Sequence, residues 1–147
     1  MPVLTSTRID VTALLGSVQS PARGGIASFV GVVRDHHGGR AVARLAYSAY
    51  APMVEAECAR IIFEAQRRWP VAVALRHRIG CLEVGDVAIV VAVGAAHRDA
   101  AFEACRFVVD EVKLRAPIWK QESYVDGGVG WVEPAAVEPR IPAESAR

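Results

Sequence analysis

Two lysines stand on either side of a proline in the stretch Lys113-Leu114-Arg115-Ala116-Pro117-Ile118-Trp119-Lys120. Ala101, Phe102, Cys105, Val108, Val109 and Val112 recur at helical spacing up to Lys113. Pro117 then forbids continuation, and an Ile-Trp pair restarts the chain in extended form. Lys113 therefore falls in the last turn of a predicted helix, where the carbonyl end of the macrodipole favours its ammonium form, and Lys120 opens a predicted strand. Two amines facing one pocket across such a bend disfavour each other's charged form, and partial burial adds to the effect. That is one way to obtain an amine that exchanges protons near neutral pH. Two solvated lysines at a helix end are the plain alternative.

Other basic residues stand where elements end. Arg34 closes a β-branched run, Ile26 to Arg34, in which Gly31 marks a bulge or a close backbone approach. His97 and Arg98 stand at the start of the helix that ends near Lys113. A helix start beside an arginine is an anion site, so the ligand would carry phosphate or carboxylate. Surface ion pairs for the arginines and a capping role for His97 stay open. No GxSxG, P-loop, HExxH, GxGxxG or metal-spaced Cys/His set is present, which takes most of the weight from the usual hydrolase, nucleotide and zinc chemistries. His36-His37 has no third ligand beside it, so no metal is expected.

With 147 residues, 52% of them hydrophobic, and a mean hydropathy of +0.24, the chain has enough apolar surface for one core. Lys+Arg 17 against Asp+Glu 16 leaves a formal charge of +1, so neither nucleic acid nor an anionic membrane is an expected partner. The longest apolar run, Val87 to Ala96, is about half of a bilayer-spanning helix, and the N-terminus lacks a signal-peptide layout. A cytoplasmic location is expected. Cys58, Cys81 and Cys105 show no CxxC spacing, and Cys58 and Cys105 fall on apolar helix stripes as buried, inert thiols.

Periodicity predicts the order β-α-β-β-α-β-β-α-β-β. A short extended piece over Leu4 to Ile9 comes first, then a brief helix capped by Asp10. Strands follow at Ile26 to Arg34 and Val42 to Tyr50, and a helix runs from Pro52 to the stop at Pro70. Further strands span Val71 to Ile79 and Val87 to Ala95. Beyond Pro117 a hairpin runs from Ile118 to Tyr124, through Asp126-Gly127-Gly128, to Trp131-Val132-Glu133. Strand pairs separated by helices give an α+β class, with helices on one side of a mostly antiparallel sheet and a small C-terminal hairpin subdomain. Residues 1–133 form the expected single domain, and 134–147, rich in Pro, Ala and Glu, the expected loosely held tail.

Several strings together resemble the large, catalytic subunit of molybdopterin synthase, the MoaE family. They are Phe29-Val-Gly-Val-Val-Arg34, Leu45-Ala-Tyr47 with Tyr50-Ala-Pro-Met53, His77-Arg-Ile-Gly80, Ala96-His-Arg98, Lys113 to Lys120 with Glu122, and Trp131-Val-Glu133. The resemblance implies an α/β hammerhead fold and a homodimer of large subunits, each binding a small ubiquitin-like (MoaD-type) sulfur carrier through its C-terminal Gly-Gly thiocarboxylate. The implied reaction moves that sulfur to cyclic pyranopterin monophosphate, building the dithiolene of molybdopterin with no metal or other cofactor on the large subunit. Lys113 and Lys120 match the family's catalytic lysines, and Arg34, His97 and Arg98 its substrate-phosphate and pocket residues. Ser48 and Gln121 depart from the acidic and basic residues common there, and Arg140 lies further past Trp131 than the basic residue some members carry. A non-catalytic module that only holds a Gly-Gly tail, or a small-anion binder using the basic cluster alone, are the other functional classes.

Overall fold

The structure, a computed structural model, describes residues 1–132. The elements are β1 (Leu4–Thr5), α1 (Val11–Ser17), β2 (Gly25–Val32), β3 (His36–His37), β4 (Arg40–Ala49), α2 (Ala51–Arg68), β5 (Val71–Arg78), β6 (Gly80–Glu83), β7 (Val87–Ala95), α3 (Arg98–Arg115), β8 (Ile118–Tyr124) and β9 (Val129–Val132). The predicted order is present with β3 and β6 added, two short strands that pair with β4 and are too brief to display alternation. The extended piece expected over Leu4 to Ile9 narrows to the two residues that pair with β5. Glu133 and the expected tail, 134–147 with Arg140, lie outside the described residues.

Local signals account for the helix ends. Asp10 accepts a hydrogen bond from the Ala13 amide at 3.0 Å and so caps α1. Proline sits in the first turn of α2, where its missing N–H costs nothing, and Pro70 follows the last residue pair. α3 closes with Ala116 N donating to the Val112 carbonyl at 3.0 Å. After Pro117, Ile118 enters the ladder between β8 and β4.

The strands form two sheets, so the expected antiparallel sheet is joined by a second one that includes the expected C-terminal hairpin. The first has the order β1-β5-β7-β2, antiparallel except for β1 with β5. Its central strand β7 is buried from Ala88 through Ala95 because both faces are covered, α2 and α3 lying on one and α1 on the other. The main core joins Val54, Cys58 and Ile61 of α2 to Val108 of α3 and to Val91 and Val93 of β7. The second sheet runs β3-β4-β8-β9, with β6 also paired to β4. It covers a smaller core of Val33, Val42, Leu45, Leu82 and Ala88. The C-terminal hairpin β8–β9 is thus part of this second sheet.

At Gly31 the register of β2 against β7 shifts, and a Cβ built there would lie 2.5 Å from Ile89 Cγ2 and 3.3 Å from the Phe29 ring. Both sequence readings of this glycine, a bulge and a close approach, therefore hold. The β-branched neighbour has little freedom to move aside. Gly31→Ala is expected to cost about 1–3 kcal/mol by overpacking, measured as a shift in the urea unfolding midpoint.

Candidate active site

The second sheet leans against the end of the first beside the C-terminus of α3, and the junction leaves a cleft of about 550 Å³. Arg34, Tyr47, His77, Lys113, Lys120 and Glu122 all line it. Arg34 leaves the end of β2, and Lys113 hangs from the last turn of α3. Lys120 and Glu122 project from one face of β8 because strand side chains alternate. The ladder sets their depth, with Lys120 opposite Tyr47 and Glu122 opposite Leu45 on β4. The two lysines thus meet in one cavity across the proline bend, with Arg34 beside them.

Burial holds Lys120 below the ordinary lysine value. Glu122 pulls the other way, and the charges of Lys113 and Arg34 reinforce the burial. Lys113 is exposed, its Nζ 5.6 Å from the centre of the Phe29 ring. Glu122 is only 1% exposed, with Oε1 2.6 Å from His37 Nδ1, while its Oε2 is buried with no hydrogen-bond partner among the described residues. Burial, then the Glu122 carboxylate, raises Tyr47 above the usual phenol range, so its hydroxyl stays a neutral donor. His77 donates from Nδ1 to the Arg78 carbonyl at 2.8 Å and packs edge-on to Tyr47 with ring centres 5.0 Å apart. Burial keeps it neutral, against the pull of that hydrogen bond and with help from Lys113.

Arg115, inside the lysine segment but outside the cleft, fixes the end of α3. Its Nε lies 2.6 Å from Glu57 Oε1, and its other nitrogens reach Glu64 at 2.8 and 3.1 Å and Glu111 at 3.4 Å. Two of these carboxylates belong to α2, so the network ties the helix carrying Lys113 to its neighbour.

His97 and Arg98 are placed elsewhere. They are exposed at the start of α3, fifteen residues and roughly 22 Å of helix from Lys113. Arg98 packs over Gly25 at the far end of β2 from Arg34. His97 is the N-cap residue by position but makes no side-chain capping bond. The cysteine expectation holds: burial pushes the Cys58 thiol up to about 12 and Cys105 to about 11, far from a reactive thiolate. Among the described residues no three metal-ligating side chains converge. In the sequence Tyr47 and His77 stand only as parts of longer strings. Their sole local signal is a polar ring at an inward position of an otherwise apolar strand.

The sequence model of the MoaE protein family matches residues 4–115. The chain belongs to the MoaE family. It is 48% identical over 125 residues to the molybdopterin synthase catalytic subunit of Pyrococcus abyssi, covering 84% of each chain. The crystal structure of molybdopterin synthase from Staphylococcus aureus superposes with a TM-score of 0.84 at 31% identity, over 88% of this chain and 95% of that one. A complex of subunits 1 and 2 of the molybdopterin-converting factor from Helicobacter pylori has a TM-score of 0.73 at 19% identity, over 88% of each chain, a likeness that shows the fold alone. MoaE membership makes this chain an enzyme of molybdenum-cofactor biosynthesis.

The Arg115 network generates a pH-dependent expectation. Arg60 and then Arg115 hold Glu57 below the usual carboxylate range, and Arg115 does the same for Glu64. Carboxylates lowered in the folded state add stability that is complete above their unfolded values and disappears as the pH falls through the lowered ones. Arg115→Met should therefore melt several degrees below the wild type at neutral pH. The gap should close in acid below the carboxylate range, as circular-dichroism melts at the two pH values will record.

Proposed function

We propose that this chain is the catalytic subunit of a molybdopterin synthase, that Lys113 and Lys120 are its catalytic residues, and that Arg34, His97 and Arg98 bind its substrate. The observation that carries the reading is the meeting of the two lysines and Arg34 in one cleft of a MoaE-family chain. The sulfur donor is a small ubiquitin-like subunit ending in a Gly-Gly thiocarboxylate, and the acceptor is cyclic pyranopterin monophosphate. Sulfur attack on the pterin side chain opens the cyclic phosphate and requires proton delivery to oxygen. An amine held below its ordinary value by burial and flanked by a second one can supply and recover that proton. Arg34 offers a fixed cation to the phosphate or the thiocarboxylate. The partner is supported by the Helicobacter pylori structure, where a chain of this fold is in complex with a second subunit. β2 ends its sheet among the described residues and borders the cleft, so its outer edge can pair with an extended Gly-Gly tail.

His97 and Arg98 cannot reach the Lys113 cleft of their own chain across roughly 22 Å of helix. Their part in binding the phosphate therefore needs the second copy of a homodimer, whose α3 start would complete the pocket. Residues 1–133 act as one catalytic domain, and the enzyme works in the cytoplasm. No helix among the described residues is long and apolar enough to cross a membrane.

Lys113→Ala should lower dithiolene formation by at least about 10²-fold, the scale of losing a positioned proton donor, with carrier binding by calorimetry unchanged. Lys113→Arg, which keeps the charge but does not release a proton, should be as inactive. Near-normal turnover in either variant would reject the role given to Lys113.

A further inference from the structure

The polar turn after β2 brings a second proton-transfer group to the cleft. His37, the last residue of β3, lines the cavity that holds Lys113 and Lys120, and its Nδ1 lies 2.6 Å from Glu122 Oε1. A carboxylate oxygen only accepts, so in the neutral ring Nδ1 is the nitrogen that carries the proton, which leaves the lone pair on Nε2. Among the described residues Nε2 has no hydrogen-bond partner. The His37 side chain is 44% exposed and that of Glu122 is 2%. An accessible imidazole is therefore oriented by a carboxylate that water cannot screen, the arrangement of a positioned general base. His36 differs. Its Nδ1 lies 2.7 Å from Asp35 Oδ1, but both side chains are solvated, at 65% and 76% exposure, and water competes for that bond.

The function proposed above contains a step that the lysines do not perform. Moving sulfur from an acyl group to a pterin carbon requires a carbon–sulfur bond to form and the acyl carbon–sulfur bond to break. Between these events carrier and pterin are joined as a thioester, and water must cleave it. A lysine that holds its proton for delivery to oxygen cannot take another from that water, whereas a neutral imidazole can.

We propose that His37, positioned by Glu122, is the general base for this hydrolysis, an assignment that rests on the sulfur-transfer reading. Nε2 takes one proton from water as the water oxygen bonds to the acyl carbon. The tetrahedral adduct collapses with cleavage of the carbon–sulfur bond, whose electron pair leaves on sulfur. The proton passes from Nε2 to that sulfur or to solvent, and the new carboxylic acid releases the second proton of the water. Nothing is oxidised or reduced. His37 touches the reacting water. Glu122 acts through His37, fixing its tautomer and opposing the charge that develops on the ring.

The test is a single turnover with thiocarboxylated carrier and cyclic pterin phosphate, quenched and read by intact mass spectrometry alongside dithiolene yield. Gln can still donate to Glu122, so His37→Gln is expected to keep the wild-type melting temperature and carrier affinity. It should form the first carbon–sulfur bond, accumulate the covalent carrier–pterin adduct and lose about 10²-fold in product formation. Added imidazole should restore hydrolysis in His37→Ala. Glu122→Gln should accumulate the same adduct to a smaller extent, and His36→Gln should behave as wild type. Wild-type turnover by His37→Gln, or slow turnover with no adduct and no imidazole rescue, would overturn the assignment alone. A wild-type protein that makes neither adduct nor dithiolene would overturn the sulfur-transfer reading, and this assignment with it.

Discussion

The chain reverses from helix to strand at Pro117, and the meeting of the two cleft lysines follows from that reversal. In an uninterrupted helix Lys113 and Lys120 would be seven residues apart, on one solvated face and roughly 10 Å apart along the axis. The proline removes that continuation, and the segment beyond it finds its hydrogen bonds along β4 instead. Both sides of the bend are held independently. Arg115 ties the end of α3 to the glutamates of α2, and the ladder with β4 fixes the register of β8. A lysine on a helix end and a lysine on a strand are thereby held across a cavity instead of along a surface.

The electrostatics of the cleft follow from this placement. Arg34, Lys113 and Lys120 bring three cationic side chains to one concave surface, and among the described residues that line it the buried carboxylate of Glu122 is the only acidic group. Burial costs an ammonium hydration, and neighbouring cations add to that cost. Lys120 therefore has less hold on its proton than a lysine in water, although Glu122 restores part of it. Under the proposed function the same surroundings draw in an anionic substrate, so one arrangement both gathers phosphate or thiocarboxylate and prepares the amine that serves it. Tyr47 and His77 extend the site with groups kept neutral by burial, which can exchange hydrogen bonds without adding charge.

Elements set by local periodicity were legible in the sequence. The stripe from Ala101 to Val112, the alternation along Val42 to Tyr50 and the stops at Pro70 and Pro117 all reappear as helices, strands and ends. The division into two sheets was not legible, because it depends on β4 pairing with β6 on one side and β8 on the other, contacts between residues far apart in the chain. Lys113, Lys120 and Arg34 could be linked beforehand because each marks the end of an element near one bend. His97 and Arg98 shared that signal and their helix with Lys113, yet helix length separates them from it within one chain. Arg115 stood inside the same motif, but its partners Glu57 and Glu64 are set by the packing of two helices, which no local pattern records.

The most direct measurement of the central claim is a titration of the lysine ε-carbons by NMR in protein labelled at those positions, with Lys120 assigned by substitution. The account predicts that Lys120 loses its proton below the ordinary lysine value and that replacing Lys113 with methionine moves it back upward. A Lys120 resonance that titrates like a lysine in water, and that is indifferent to the residue at 113, would contradict it.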